Sequence, residues 1–265
     1  MSPVIVTQLN IYPVKSLRGQ SVSSMQLGNM GPLSDRRWML VDAHGNFITQ
    51  REESRLCLVD TVLDHDQLGL SAPGQPLLAV QIPVQGNTCE VSVWEEKVLA
   101  IDCGDEAADW FNGFLNRQCR LVYMPDTSAR QVDRHYAREG DKLGFADGFP
   151  VLLISEASLV DFNRHLNRPI TMTRFRPNIV VSGCEAYAED HWKSVQIGEI
   201  NFDLVKPCSR CVIPSIDPAT GKKNSEVSRQ LARYRRREGN VYFGQNLVHR
   251  NHGMLRLGDR LTLVN

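Results

Sequence analysis

The sequence predicts a mainly β fold, built of sheets or barrels with a few helices and arranged in two consecutive parts. Three observations predict it. Short β-prone runs separated by Gly, Asn, Asp and Pro recur through the first 124 residues, a spacing typical of antiparallel sheets and barrels. Helical periodicity is confined to a few isolated stretches,. Pro125 to Lys142 is polar, charged and without period, as expected of a long functional loop or a seam between subdomains,. The expected division is therefore a β-rich part over 1–124 and a second part, also β-based with a few helices, over 125–265.

The elements follow in chain order. Val4 to Tyr12, Arg37 to Val41, Leu56 to Leu63, Cys89 to Trp94 and Lys97 to Ile101 read as strands,. Between Asp105 and Arg117, Ala107, Trp110, Phe111, Phe114 and Leu115 recur at helical spacing and define an amphipathic helix,. Val151 to Ile154 is an apolar strand, followed by a helix capped by Ser155 with Leu159, Phe162 and Leu166 on its buried stripe,. Asn178 to Ser182 resumes the strands. Gln196 to Asn201 reads as a hairpin with Gly198 first in a two-residue turn, and Leu255 to Leu263 as a second hairpin,. A helix from Ser225 to Arg237 is expected to close at Gly239,.

Composition narrows the function. Lys plus Arg equals Asp plus Glu at 30 each, so no net field holds the chain on nucleic acid or an anionic membrane, and any basic site must be assembled by folding. No uninterrupted apolar run exceeds four residues, against the roughly 20 that a membrane helix needs. The N-terminus carries no basic residue before Lys15 and lacks the pattern of a signal peptide, so a cytoplasmic location is expected. Seven cysteines without a secretory signal point to reduced thiols,. No Gly-x-Gly-x-x-Gly, phosphate loop or Gly-x-Ser-x-Gly elbow occurs,.

The most informative segment is Lys206 to Gly221, with Cys208-Ser-Arg-Cys211 at its centre. Two thiols three apart suit zinc, but a structural site needs four ligands, and His249 and His252 lie far from finger spacing. A redox dithiol normally opens a helix, which Pro214 and Pro218 oppose. Two small buried residues beside a turn are the plain alternative. The remaining reading is a single thiolate on a soft metal held mostly by a cofactor, with Arg210 lowering the pKa of Cys211. A second segment, Thr173 to Gly183, brings Arg174 and Arg176 to the start of a strand, where they could bind phosphate or be solvated strand ends,.

Tyr12-Pro-Val-Lys-Ser16, Asp35-Arg36, Arg174-Phe-Arg-Pro-Asn178 with Ser182-Gly183, Cys208-Ser-Arg-Cys211, Asp217-Pro-Ala-Thr-Gly221 and Phe243-Gly-Gln-Asn246 occur in this order. The set resembles MOSC-domain proteins with an N-terminal MOSC-associated β-barrel. Among them are the mitochondrial amidoxime-reducing components and bacterial relatives that detoxify N-hydroxylated base analogues. The resemblance implies an N-terminal β-rich domain, a MOSC β-barrel domain and a molybdenum cofactor (molybdopterin) between them. It makes Cys211 the metal ligand and sets Lys15, Ser16, Arg36, Arg176 and Asn178 around the pterin and its phosphate. Asp147, Gly148, Ser209 and Arg210 supply nearby contacts.

The implied activity is reduction of small N-hydroxylated compounds. Asp217 is a candidate proton donor, or else caps the turn that it opens. Some relatives continue into a ferredoxin domain. This chain shows no cluster-type cysteine spacing,, so its electrons are expected from a separate reductase or ferredoxin-like protein. The competing readings are a sulfur carrier using Cys211 as a persulfide and a cofactor-binding protein without turnover. Arg233-Tyr-Arg-Arg-Arg237 is either a docking patch for a reductase or a solvated helix face,.

Overall fold

The computed structural model describes residues 3–64 and 66–264, so the outermost residues of the two expected parts, 1, 2 and 265, lie outside the described residues. The fold is mainly β and is organised around a closed barrel of seven strands. In chain order these are β1 (Val4–Ile11), β2 (Val151–Ser155), β3 (Ile179–Ser182), β4 (Ser194–Ile197), β5 (Ile200–Ser209), β6 (Asn240–His249) and β7 (Arg260–Leu263). They run around the barrel as β2-β3-β1-β7-β4-β5-β6, and β6 pairs back onto β2. All pairings are antiparallel except β2 with β3.

Strand periodicity sets the inside of the barrel. Val151, Leu153, Ile179, Val181, Val195, Ile197, Phe202 and Leu247 pack together in one core. The alternate residues Leu152, Ile154 and Val180 face a second core built from Phe162, Phe175, Val227, Leu231 and Phe243. Two helices, spanning 156–163 and 225–235, supply Phe162, Val227 and Leu231, while Phe175 comes from the 3-10 turn Met172–Phe175 and Phe243 from β6. Val151 to Ile154 therefore reads as an unbroken apolar run because both faces of β2 are covered. Removing a ring such as Phe243 from this layer would cost about 3 to 5 kcal/mol.

The first part of the chain interleaves with the second. β1 lies between β3 and β7 in the barrel, and Ser24–Gly28 pairs with Gly253–Arg256. The rest of the first part holds a four-stranded sheet and a three-stranded sheet. The helix Asp105–Leu115 puts Trp110, Phe111 and Leu115 into a core with Trp38, Leu40, Leu68, Leu70 and Val80. Pro125 to Lys142 is mostly loop, pinned by a ladder between Arg130–Gln131 and Lys142–Leu143.

Three expectations are corrected. Leu56 to Leu63 begins in a 3-10 turn, Ser54–Leu58, capped by the Glu53 side chain, and becomes a strand only at Asp60. The helix from Ser225 ends at Arg235. Arg236 and Arg237 instead pair with Val241 and Asn240 across a turn at Glu238 and Gly239. The 255–263 segment is no hairpin: Gly253–Arg256 joins Ser24–Gly28 while β7 joins β1 and β4, so Gly258, at φ 85°, turns a corner between two sheets. The other hairpin forms as expected, with Ile197 opposite Ile200 and Gly198 at φ 57°.

Candidate functional site

A cleft of about 530 Å³ opens where loops from the two parts of the chain meet. Lys15, Ser16, Arg36, Asp147, Gly148, Arg176, Asn178, Ser209, Arg210 and Cys211 all line it.

The chain leaves β1 at Tyr12 and turns sharply, with the Lys15 amide donating to the Trp38 carbonyl (2.8 Å). Ser16, Arg36 and Arg176 occupy the left-handed region, at φ 70°, 47° and 58°. Such a conformation costs a non-glycine residue about 1 to 2 kcal/mol. Three such residues on one cleft mark strain that the surrounding bonds sustain. Asp35, which is buried, accepts from the Tyr12 amide (2.8 Å), Arg36 Nη1 (2.5 Å) and Asn178 Nδ2 (3.1 Å). Arg36 also donates to Asn178 Oδ1 (3.2 Å) and the Arg176 carbonyl (3.3 Å). Asn178 further bonds the Asn10 carbonyl and the Leu152 amide. Its side chain thus ties β1 to β2, and the amide sets the walls of the cleft.

The guanidinium groups of Arg36 and Arg176 both lie over Tyr12, each 4.3 Å from the ring centroid. Burial and the neighbouring arginine charge lower the Arg176 pKa to about 10. Arg176 Nη1 donates to the Leu17 carbonyl (2.5 Å), whereas Nη2 is buried without a partner. An unmet buried donor costs about 1 to 3 kcal/mol, more when charged. Two guanidinium groups on one ring, one with a donor that no protein group meets, give this wall of the cleft the chemistry that suits an anion,. Gly148 adds room: a Cβ there would meet nothing within 4 Å, and no unusual φ demands a glycine.

A second group of charges surrounds the thiol. The Lys15 side chain is buried, and its Nζ donates to the Phe145 carbonyl (2.8 Å) and to the Asp147 carboxylate. Arg51 Nη2 donates to Asp147 Oδ2 (2.7 Å). Burial opposes ionisation of Asp147, but Lys15 and Arg51 hold it well below the usual carboxylate range. Arg51 also interacts with the thiol of Cys211, which is exposed on the loop between β5 and the 3-10 turn Ile213–Ser215.

Arg210 has its donors engaged on carbonyl groups. Its Nε and Nη2 donate to the Phe243 carbonyl (2.8 and 2.7 Å) and its Nη1 to the Phe175 carbonyl (2.9 Å). Arg210 anchors the cysteine loop to β6, and Arg51 is the cation set beside Cys211. Cys208 packs against the helix-side core, and burial pushes its thiol pKa up.

Asp217 is outside the cleft lining. Its Oδ1 accepts from the Ala219 amide (2.8 Å) and its Oδ2 from Arg174 Nη2 (3.2 Å), so the carboxylate closes its own turn and fixes Arg174. His249 binds the Gly28 carbonyl (2.8 Å) on another part of the fold. Among the described residues no group of three or more His, Cys, Asp or Glu side chains gathers to hold a metal. Of the two thiols on the cleft only that of Cys211 is exposed, and one accessible thiol among cations suits a metal that brings its other ligands on an anionic cofactor,. The residues therefore fit the molybdenum cofactor that the motif order implies.

Sequence reading missed Arg51, Trp94, Phe149 and Lys206, which also line the cleft. Lys206 opens the segment that holds both thiols but was assigned no role, and the other three belong to no motif. One signal was available: Arg51 follows Gln50, a polar residue that becomes buried and donates to the Ser16 carbonyl (2.5 Å).

The family model "MOSC N-terminal beta barrel domain" matches residues 4–118, and "MOSC domain" matches residues 140–262. Mitochondrial amidoxime-reducing component 1 of Mus musculus is 38% identical over 279 residues, covering 98% of this chain and 82% of that protein. The Homo sapiens protein of the same name is 37% identical over 278 residues with the same coverage. Molybdenum cofactor sulfurase of Homo sapiens is 29% identical over 94% of this chain, which spans 30% of that longer protein. With both domain models matched and identity of 37–38% sustained along nearly its whole length, the chain belongs to the MOSC-domain proteins that carry an N-terminal MOSC barrel domain, alongside the amidoxime-reducing components.

Proposed function

We propose that the protein is a molybdenum-cofactor-dependent reductase of small N-hydroxylated compounds. Its two parts would be 1–124 and 125–265, with the cleft between them. The observation that carries this reading is the unpartnered Nη2 of Arg176, set beside Arg36 on the same cleft as the exposed thiol of Cys211. When bound, the cofactor supplies two-electron chemistry at a metal able to take oxygen from nitrogen. The balance is R–NHOH plus two electrons and two protons giving R–NH2 and water.

The chain's own residues divide the remaining work. Arg176 and Arg36 bind the cofactor phosphate, and Cys211 Sγ completes the ligands of the metal. Arg51 offsets the charge of that thiolate. Lys15 Nζ holds a proton between Asp147 and the Phe145 carbonyl, where burial weakens its hold on that proton. Arg210 keeps the cysteine loop in place. Electrons come from a separate donor protein, and a cytoplasmic location belongs to the same proposal. Among the described residues no helix is long and apolar enough to cross a membrane.

The test uses protein purified from a host that makes the cofactor. It should contain molybdenum and reduce benzamidoxime with reduced methyl viologen, but not with NADPH alone. A second reading, a sulfur carrier with a persulfide on Cys211, is favoured by the exposure of that thiol and by the similarity to the sulfurase. Cyanide-labile sulfur without bound molybdenum would establish the carrier and refute the reductase.

A further inference from the structure

Trp94 has a side chain and a backbone that no part of the mechanism above uses. It opens the two-residue turn between Thr88–Val93 and Glu96–Asp102, where Val93 pairs with Glu96. Its φ is 57°. Turns of this kind favour Asn, Asp or Gly, and a bulky residue at positive φ is an outlier whose cause is to be sought in function. The indole is 51% exposed although it lines the cleft. Phe47 braces it edge-on at 5.1 Å between centroids. The guanidinium of Arg51 lies over it at 4.9 Å, and the same Arg51 interacts with Asp147 and with Cys211. One cation therefore connects the indole to Asp147, on the cleft that Cys211 also lines.

We propose that Trp94 is the platform on which the flat face of an aromatic N-hydroxylated substrate stacks, making aromatic amidoximes and N-hydroxylated nucleobases the preferred class over aliphatic hydroxylamines. The inference deepens the reductase reading and rests on it for the position of the reacting group. Aromatic faces recognise other flat π-systems with little regard to their substituents, which accommodates amidines and bases alike. The braced indole loses little freedom when it binds. Arg51, stacked on the ring and hydrogen-bonded to Asp147, holds the platform at the cleft that Cys211 lines.

Trp94→Asn and Trp94→Phe separate this role from a structural one. Asn relieves the backbone strain, so Trp94→Asn should melt no lower than the wild type and keep its molybdenum content. Stacking of the usual strength makes the binding constant for benzamidoxime at least roughly fivefold weaker in Trp94→Asn. Trp94→Phe should recover most of that loss. With reduced methyl viologen, KM for benzamidoxime should rise by a similar factor in Trp94→Asn, while N-methylhydroxylamine kinetics stay within about twofold. Equal changes for both compounds, or unchanged benzamidoxime binding, overturn the platform. A fall in molybdenum content also overturns it, by showing that the indole serves the flat pterin. Absence of turnover by the wild type would refute the reductase reading, and the equilibrium binding comparison would still decide on the platform.

Discussion

Two groups of side chains, one running from the cleft into the fold behind it and one on its open rim, differ in burial and in what they have to bond. Tyr12, Asp35, Arg36, Arg176 and Asn178 are tied together by hydrogen bonds and ring contacts, with three of these five buried and one arginine donor unpartnered. Around Cys211, by contrast, the thiol is exposed, Asp147 keeps a side chain 52% exposed and Trp94 stands half open. The difference teaches how the labour is divided. Part-buried cations held on a buried, hydrogen-bonded frame suit a ligand that stays, since low dielectric strengthens each charged bond. An open rim suits molecules that enter and leave.

The sharpest way to break this comparison lies within one motif. Cys211→Ala should lower benzamidoxime reduction beyond roughly 100-fold, more than the loss typical of groups that only support a metal ligand. Cys208→Ala, which truncates a thiol packed on the helix-side core, should cost only on the order of 1 kcal/mol of stability and leave activity largely intact. Equal loss of activity in both variants would make the pair a unit and erase the distinction between core and rim.

The next effect concerns retention. Arg176→Ala removes charge-assisted bonds of about 1.5 to 3 kcal/mol, so cofactor content after gel filtration should fall by about 10-fold or more. Arg237→Ala, at an exposed arginine that pairs with Asp190, should change it little, because such pairs contribute at most about 1 kcal/mol. Matching losses would show that Arg176 holds no anion.

These two experiments rest on residues with very different visibility in the sequence. The ordered motifs pointed to Lys15, Arg36, Arg176 and Cys211, and the cleft gathers all four. An apolar run and a capping serine announced β2 and the helix after Ser155, because local pattern and final burial agree there. The 255–263 segment failed because its alternation is genuine but its partners come from β1, β4 and the 24–28 strand, which no local signal encodes. Arg210 misled for a similar reason. Adjacency in sequence suggested a charge for the thiol, whereas the chain spends that guanidinium on two carbonyls and brings Arg51 from a distant loop. Trp94 looked like the end of a strand, and only its turn conformation reveals a rim residue.

The smallest effect expected is in pH dependence. Lys15 and Arg51 depress the Asp147 pKa in the folded state. Its ion-pair stabilisation is therefore fully present above about pH 4, the ordinary carboxylate value, and is lost as pH falls through the lower folded value. Wild-type protein should lose more melting temperature on acidification below that point than Asp147→Asn does. The difference should be modest, since a half-exposed carboxylate is screened by solvent,. A steeper acid loss in Asp147→Asn would reverse the sign of the argument.

The central claim is that Cys211 supplies the thiolate that joins protein to metal while Arg36 and Arg176 hold the rest of the cofactor. X-ray absorption at the molybdenum edge, on wild type and Cys211→Ser purified side by side, tests it most directly. The wild-type spectrum should require the dithiolene sulfurs plus a further thiolate sulfur. Cys211→Ser should keep molybdenum, through the cations, and lose that further sulfur. An identical sulfur shell in both proteins would contradict the assignment of Cys211 as the ligand.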